Sequence, residues 1–325
     1  MLVVLLSSPK PCGTGDYVII VDDMNDYYDL RLKRYNVSIL KSSYSSSQLV
    51  VYNNDICDAA TMADIFNKEN PDHVIHLAAR AGVRPSIKEP SLYVRTNIEG
   101  TSCLLDLSVK NEIRHFVYAS SSSVYGGSDK ELLNEEDNIS HPVSPYAATK
   151  ATCELLAHTF NHLYGLNTTG LRFFTVYGPR GRPDMAPFKF IDRIVRGVPI
   201  QQYGDGNTSR DYTFVSDIVD GVVLALDRPM GNEVFNLGNG NPFLLSKFIN
   251  IVEEAVGRRA IIEQLPHQPG DVDRTCADVA KAKRLLGYAP QVRRLCSGHA
   301  WRRFVLNRPI HLLCRYPSRM ALRGQ

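Results

Sequence analysis

The sequence predicts an α/β protein with a doubly wound parallel sheet and a smaller, mixed substrate lobe. Short runs of apolar, β-branched residues alternate with longer helical patterns between residues 16 and 180. These runs are apolar without interruption, which is typical of parallel strands covered by helices on both faces. Small or polar residues follow each run, at the place where ligands of such sheets bind.

The elements follow in the order that alternating strands and helices require. Strands are predicted at residues 17–21, 49–52, 73–77, 115–119 and 168–174, and helices at 61–68, 92–110 and 144–164. Residues 42–47 form a serine-rich loop. Beyond residue 181, shorter elements are predicted: helices near 188–196, 216–227 and 244–256, and strands near 211–214 and 234–237. Because crossovers between parallel strands are right-handed, the first part folds as one wound sheet.

The composition excludes several classes of protein. The chain has 325 residues, of which 44% are hydrophobic and 22% are charged, so it is neither disordered nor fibrous. The longest apolar run, residues 1–6, is shorter than the ~18 residues of a membrane span and lacks the features of a signal peptide. Seven scattered cysteines without a CxxC pair indicate a reduced, intracellular protein without a zinc site. We expect it in the cytoplasm, without a membrane partner.

The charge is divided unevenly along the chain. Residues 291–325 carry eight arginines, no lysine and no acid, whereas the preceding residues carry 29 basic and 34 acidic side chains, a net charge of −5. An acidic body is a poor partner for nucleic acid, because phosphate contacts need clustered Lys and Arg. The basic tail alone could contact a polyanion, and we expect it to be an atypical or unstructured segment.

A catalytic constellation stands out after the fourth predicted strand. Four serines, 120–123, precede Tyr146 and Lys150, which are four residues apart and therefore share one helical face. Ser144 and Pro145 predict the start of that helix, through a capping hydroxyl and a proline in the first turn. An ammonium beside a phenol stabilises phenolate, so Tyr146 would be a general base near neutral pH. A serine hydroxyl would hold the substrate oxygen.

The sequence contains only part of a dinucleotide-binding site. An acid such as Asp22, at the end of a strand, can bind adenosine ribose hydroxyls, and the small residues Ala78 and Ala79 after the run at 73–77 would let a cofactor approach. However, only Gly13 and Gly15 precede Asp22, so the glycine fingerprint that binds the diphosphate is missing. Residues 1–6 are the only candidate for a first strand, and the gap that follows is too short for a crossover helix.

Several segments resemble the extended short-chain dehydrogenase/reductase superfamily, and within it the UDP-glucuronate 4-epimerases. The segments are residues 21–36 (VDDMNDYYDLRLKRYN), 73–86 (HVIHLAARAGVRPS), 116–126 (FVYASSSSVYG), 144–150 (SPYAATK) and 170–185 (GLRFFTVYGPRGRPDM). The similarity covers about residues 16–290. It implies a Rossmann-like NAD-binding domain at residues 1–180, incomplete at its N-terminus, a substrate-binding lobe at 181–290 and an atypical basic tail at 291–325.

The resemblance also implies an activity. UDP-glucuronate would be converted to UDP-galacturonate through a 4-keto intermediate, with NAD held through the turnover. Tyr146 would take the proton of the sugar 4-hydroxyl, Lys150 would hold the nicotinamide ribose, and Ser121 would be the hydroxyl partner. The positions that match the cofactor site are Asp22, Asp55, Ile56, Ala78, Ala79 and Asn97, together with Tyr146 and Lys150. The positions that match the UDP site are Lys189, Arg210, Gln268 and Asp271.

The serines after Ser121 favour an epimerase over its relatives. Oxidation at C4 makes a β-keto acid, which readily loses carbon dioxide unless its carboxylate is held. Ser122, Ser123 and Thr175 match the hydroxyls expected to hold it, and Arg182 matches a position linked to that control. The related decarboxylases and 4,6-dehydratases carry an acid in the two positions after the catalytic hydroxyl, whereas both positions are neutral here.

Other hypotheses remain open. The missing fingerprint favours a catalytically impaired relative that binds a sugar nucleotide or a partner protein, and we expect NAD affinity to be weakened or absent. Within the enzymes, epimerisation of a neutral UDP-sugar or at C5 is the alternative. A homodimer is common in the superfamily. Glu154, His158 and His162 lie four residues apart and could form a metal stripe, but a solvated helix face explains them better, so we predict no metal.

Overall fold

The computed structural model describes residues 2–7, 16–268 and 270–292 of the chain. The basic tail and the two N-terminal glycines lie outside the described residues. In the first part of the chain, the strands are β1 (Leu2–Ser7), β2 (Tyr17–Asp22), β3 (Leu49–Tyr52), β4 (His73–His76), β5 (His115–Ser121) and β6 (Thr168–Phe173). The helices are α1 (Leu30–Ser43), α2 (Ala59–Glu69), α3 (Val83–Lys88), α4 (Pro90–Tyr93), α5 (Gly100–Lys110) and α6 (Pro145–Tyr164).

The remaining elements build the second lobe and complete the first. The strands are β7 (Thr175–Tyr177), β8 (Ile200–Tyr203), β9 (Ser209–Arg210), β10 (Tyr212–Phe214), β11 (Asn232–Leu237), β12 (Phe243–Leu244) and β13 (Ile262–Leu265). The helices are α7 (Ala186–Arg196), α8 (Val215–Leu226), α9 (Leu245–Val256) and α10 (Ala280–Leu286).

One seven-stranded sheet organises the first lobe, in the order β11-β6-β5-β4-β1-β2-β3. Every neighbouring pair is parallel except those that involve β1, which runs antiparallel to both β2 and β4. The predicted doubly wound sheet is therefore confirmed, and residues 2–7 do supply its missing central strand. The direction of that strand is opposite to the direction of its neighbours.

The length of the connection explains why β1 is reversed. Ser7 pairs with Tyr17 and Leu2 pairs with Asp22, so β1 ends where β2 begins. Antiparallel neighbours can be joined by a short loop, whereas parallel neighbours need a crossover of a dozen or more residues. The nine residues between Ser7 and Tyr17 allow only the first solution. The loop after β1 therefore leaves from the edge opposite the carboxyl ends of β2 and β4.

Helices cover both faces of the sheet. On one face α2, α5 and α6 bury Leu104, Leu105 and Ala157 against Val3, Leu5 and other strand residues. On the other face α8 and α10 bury Ile218, Leu286 and Tyr288. Burial of apolar area stabilises such layers by roughly 25 cal/mol per Å². Because β1 contributes to both clusters, the reversed strand is part of the core.

The second lobe has a core of its own. Helices α7 and α9 pack around Phe190, Ile194 and Phe248, and three two-stranded sheets surround them. The chain then returns to the large sheet, where β11 pairs in parallel with β6. Part of the segment expected to form the substrate lobe thus completes the first lobe. No helix among the described residues is long and apolar enough to cross a membrane.

Several helices differ from the sequence prediction, and the short helices α3 and α10 are among those that were not predicted. Helix α1 was not predicted, because its residues are mostly polar and only Lys33 is buried. The predicted helix at 92–110 is interrupted by a π-helical turn, Val94–Glu99, before α5 begins. Single π-turns are frequent at functional sites, and this one carries Asn97.

Buried histidines make the fold sensitive to acid. His76 lies opposite Val3 of β1, and burial lowers the pKa of His76 to about 3. In the unfolded chain the same imidazole takes a proton below about pH 6.5. Its contribution to stability is therefore complete above pH 6.5 and is lost towards pH 3, at about 1.4 kcal/mol per pH unit.

We predict that the free energy of unfolding by urea falls between pH 7 and pH 5, and that His76→Gln makes this fall shallower. Burial also lowers the pKa of His115, so part of the fall remains in the variant. His162→Gln, at an exposed position, is the control and should leave the pH dependence unchanged. An equal fall in wild type and His76→Gln would contradict this account of His76.

Candidate active site

A cavity of about 670 Å³ opens at the carboxyl ends of β4 and β5, between the two lobes. It is lined by six basic side chains and one carboxylate. They are Lys33, Arg80, Lys150, Arg180, Arg182, Arg210 and Asp271. Such a surplus of positive charge suits a ligand with several phosphates or carboxylates.

Helix α6 carries Tyr146 and Lys150 into this cavity. Ser144 caps the helix by accepting the backbone N–H of Ala147 at 3.1 Å, as the sequence predicts. The Lys150 ammonium is buried and donates to the Ala119 carbonyl at 2.6 Å, which fixes it beside the end of β5. The Tyr146 hydroxyl lines the cavity and has no hydrogen-bond partner among the described residues, so it is available to a substrate.

Ser121, at the end of β5, and Ser122 and Ser123, directly after it, line the same cavity as Tyr146. Ser121 accepts the backbone N–H of Ser123 at 3.1 Å and so begins a single 3-10 turn over residues 122–125. The hydroxyls of Ser122 and Ser123 line the cavity and make no hydrogen bond within the described part of the chain. Thr175, at the start of β7, lies on the same wall. These free hydroxyls can donate to an anionic or carbonyl oxygen.

A buried ion pair supports the serine turn from behind. The Arg172 guanidinium donates twice to the Glu154 carboxylate, at 3.0 and 2.7 Å, and both side chains are almost fully buried. Ser120 donates to the same carboxylate. Arg172 also donates to the Tyr125 hydroxyl at 3.0 Å, and its pKa is raised because the ion pair with Glu154 outweighs the effect of burial.

Glu154 therefore does not belong to a metal stripe. Its carboxylate faces the sheet, whereas His158 and His162 are exposed on the outer side of α6. No group of three metal-ligating side chains occurs among the residues that the structure describes.

The residues expected around the cofactor lie at different depths. Ala79 lines the cavity, and Ala78 is buried directly beneath it. Asp22 ends β2, where its carboxylate accepts the N–H of Met24 at 2.8 Å and lies 3.8 Å from the ammonium of Lys33. Two others, Asp55 and Ile56, lie farther along the edge after β3. Asp55 pairs with Arg95 at 2.9 Å, and Ile56 packs against Gly100.

Asn97 is buried and does not line the cavity. Its amide accepts the backbone N–H of Arg80 at 2.7 Å, and donates to the Arg80 carbonyl and the Thr149 hydroxyl at 3.0 and 2.9 Å. The side chain thus ties the segment after β4 to helix α6, next to Lys150. This arrangement fixes the two cavity walls relative to each other.

The residues expected around UDP belong to the second lobe. Arg210 and Asp271 line the cavity. The Arg210 guanidinium donates to the carbonyls of Ser209 and Asp273, at 2.9 and 3.2 Å, so its orientation is fixed. The structure brings neither Lys189, exposed on α7, nor Gln268 to the cavity wall.

Arg182 takes part in a contact between the lobes. Its guanidinium pairs with Asp184 at 2.5 Å and lies 5.3 Å from the ring centre of Tyr27. The Tyr27 hydroxyl contacts both Asp184 and the Ala81 carbonyl, at 3.2 and 3.1 Å. Burial would raise the pKa of Asp184, but the pair with Arg182 outweighs burial and lowers it.

Sequence reasoning missed several residues of the site. Arg84 pairs with Asp271 at 2.5 Å and stacks on Tyr203, which joins α3 to the second lobe. Glu154 was named only as part of a possible metal stripe, although its place four residues after Lys150 on the same helical face pointed to the site. Arg80 and Lys33 gave no signal, because an isolated cation in a sequence does not indicate what it faces.

The comparison with known proteins agrees with this geometry. The model of the NAD dependent epimerase/dehydratase family matches residues 28–238. A UDP-glucuronate 4-epimerase of Thermodesulfobacterium geofontis is 43% identical over 279 residues, which cover 86% of this chain and 85% of the relative. UDP-glucuronate 4-epimerase 3 of Arabidopsis thaliana is 43% identical over 295 residues, which cover 85% of this chain and 67% of the relative.

A solved structure shares the fold over most of the chain. It is the UDP-glucuronic acid 4-epimerase of Bacillus cereus in complex with UDP-glucuronic acid and NAD. The two structures have a TM-score of 0.82 and 32% sequence identity, and the match covers 89% of this chain and 91% of the other.

The Arg172–Glu154 pair generates a prediction about stability. Removing one partner of a buried ion pair leaves an uncompensated charge, which costs about 3–5 kcal/mol. We predict that Glu154→Gln lowers the free energy of unfolding by roughly this amount, and that the double variant Glu154→Gln/Arg172→Met is less destabilised than the single one. Asp106→Asn, in the exposed Lys110–Asp106 pair, should cost under about 1 kcal/mol. Equal losses in the two single variants would contradict the prediction.

Proposed function

Because the chain belongs to the NAD dependent epimerase/dehydratase family, we propose that it converts UDP-glucuronate to UDP-galacturonate by epimerisation at C4. The observation that carries the proposal is the convergence of Tyr146, Lys150 and Ser121 on one cavity wall, beside free and neutral Ser122 and Ser123. The protein is thus an isomerase of nucleotide-sugar metabolism.

NAD is the cofactor of this family, and both ends of the proposed site suit it. The nicotinamide ribose would lie beside Lys150, and the adenosine ribose beside Asp22 at the end of β2. Lys150 is anchored at the end of β5, and Asp22 ends β2. In the sheet, β4 and β1 lie between these two strands. NAD supplies the acceptor and donor of hydride at the sugar C4. The diphosphate of NAD is the part without such a match, because β1 is reversed and no glycine-rich turn follows it at this edge.

The proposed roles of the protein groups follow from their surroundings. Tyr146 takes the proton of the 4-hydroxyl and later returns it, since its own hydroxyl has no other partner. Lys150 lies one helical turn after Tyr146 on α6. The Ala119 carbonyl holds its ammonium there, where it stabilises the phenolate of Tyr146. Ser121 donates to the same sugar oxygen. The sugar passes through a 4-keto form and turns so that its other face is reduced.

The uronate carboxylate needs its own contacts during this step. Hydrogen bonds from Ser122, Ser123 and Thr175 would keep the carboxylate out of the geometry from which a β-keto acid loses carbon dioxide. Arg182 is neutralised by Asp184, so its pull on the carboxylate is weakened. Arg210 and Asp271 are our candidates for the UDP end, and Lys189 and Gln268 stay proposals at its margin.

The comparisons do not favour the alternative of a catalytically impaired, purely binding relative. A neutral UDP-sugar would leave the hydroxyls of Ser122 and Ser123 without an anionic partner, which favours the uronate over it.

We further propose that the chain works as a cytoplasmic homodimer, without nucleic acid or a membrane as partner. Exposed apolar side chains on α6, Leu155, Leu163 and Tyr164, support a contact between copies. Four cysteines of the described residues carry free thiols, which supports a reducing compartment. The net charge of residues 1–290 does not suit nucleic acid.

We predict that the purified chain with added NAD converts UDP-glucuronate to UDP-galacturonate. Proton NMR would follow the anomeric signals, and UDP-glucose and UDP-xylose would be assayed alongside. UDP-galacturonate as the main product supports the proposal. Conversion of UDP-glucose alone, or release of UDP-xylose as the main product, would contradict it.

We also predict that Tyr146→Phe lowers kcat by about 100-fold or more, because the general base is lost while the ring remains. Tyr44→Phe, at an exposed position just after α1, is the matched control and should keep wild-type kcat. Binding of UDP, measured by calorimetry, should be unchanged in both variants. Full activity of Tyr146→Phe would remove Tyr146 from the mechanism.

A further inference from the structure

Arg80 is a cation in the cavity wall with no partner in the described chain. It is the fourth residue after the end of β4, and no salt bridge or hydrogen bond to its guanidinium occurs in residues 2–7, 16–268 and 270–292. Its Nε is buried without a hydrogen-bond partner. A buried donor without a partner costs about 1–3 kcal/mol, more when it is charged, so such a group favours binding of an anion.

The backbone around Arg80 is held firmly. Asn97 binds both the N–H and the carbonyl of Arg80. The next carbonyl, that of Ala81, accepts the hydroxyls of Tyr93 and Tyr27 at 2.9 and 3.1 Å. A cation on so fixed a backbone loses little further freedom when it binds a ligand.

The sheet order identifies the anion. Asp22 follows β2 and Lys150 lies beside the end of β5, so a dinucleotide between them must cross the ends of β1 and β4. Strand β1 is reversed, and the loop after it leaves from the opposite edge. Of the two strands crossed, only β4 ends at this edge, and Arg80 is the first cation after it.

We propose that Arg80 binds the diphosphate of the dinucleotide, in place of the backbone N–H groups that a glycine-rich turn would supply. The inference rests on the proposed function, since it takes NAD as the cofactor. A guanidinium presents several donors in a plane and matches the oxygens of a phosphate. The uronate carboxylate and the UDP diphosphate are the other anions that reach this cavity, so the experiment has to separate the three.

The test compares wild type with Arg80→Ala, Arg80→Lys and the control Arg114→Ala, an exposed arginine that pairs with Asp72 at the opposite edge of the sheet. Fluorescence titration gives the affinity for NADH, and calorimetry gives the affinities for ADP-ribose, UDP-glucuronate and UDP-glucose. Circular dichroism and the urea midpoint show whether each variant is folded.

We expect Arg80→Ala to weaken NADH and ADP-ribose by about tenfold to a hundredfold, as for the loss of a hydrogen bond between charged groups. Arg80→Lys should recover part of this loss, and Arg114→Ala should bind as wild type. The affinity for NADH should also depend less on salt in Arg80→Ala, because one ionic contact is gone. The affinities for both UDP-sugars should change less than about twofold.

Two results would overturn the inference. One is wild-type affinity for NADH in a folded Arg80→Ala variant. The other is a loss of affinity for UDP-glucuronate, which would assign Arg80 to the uronate carboxylate if UDP-glucose binds as before and to the UDP diphosphate if UDP-glucose is weakened too. If Arg80→Ala does not fold, Arg80→Lys and the salt dependence of wild type decide in the same way. If wild type binds no NADH, the proposed function fails together with this inference, whereas turnover with an unaffected Arg80→Ala removes the inference alone.

Discussion

The reversed central strand is the constraint on which the rest of this molecule depends. β1 lies between β2 and β4 and forms hydrogen bonds to both, so it holds the two halves of the sheet together. Val3 and Leu5 are fully buried and complete the core under α2 and α5. A sheet without this strand would expose unpaired edges and apolar side chains. The strand fills the gap in the sheet. Because it is reversed, the loop that follows it does not lie at the edge where the cavity opens.

The catalytic side chains of the cavity do not depend on the loop that is missing after β1. The Tyr146–Lys150 helix is capped by Ser144, the serine turn is supported by the Glu154–Arg172 pair, and neither of these contacts involves a residue of β1. The groups that move protons therefore keep their geometry although the diphosphate side is changed. What the reversed strand alters is how the dinucleotide is held, and the free guanidinium of Arg80 lies where that change must be compensated.

The sequence predicted much of this site because its signals are local. The spacing of Tyr146 and Lys150, the cap at Ser144 and the strand alternation each depend on neighbouring residues. The direction of β1 follows from the length of its connection, which the sequence contains, but a strand pairs with either polarity until its neighbours are known. The place of Arg80 and the pairing of Glu154 with Arg172 depend on contacts between distant elements, so no local pattern reveals them, and Asn97 was identified only through the resemblance. Helix α1 was missed because it buries almost no apolar face.

The cofactor content of the freshly purified protein tests the central claim most directly. The claim is that this chain holds NAD by its two ends and one arginine, without a glycine turn. After gel filtration, NAD released by acid would be quantified against the protein concentration, at low and at high salt. The account predicts far less than one NAD per chain, with further loss as salt rises, because ionic contacts are screened. One NAD per chain, retained at both salt concentrations, would contradict it.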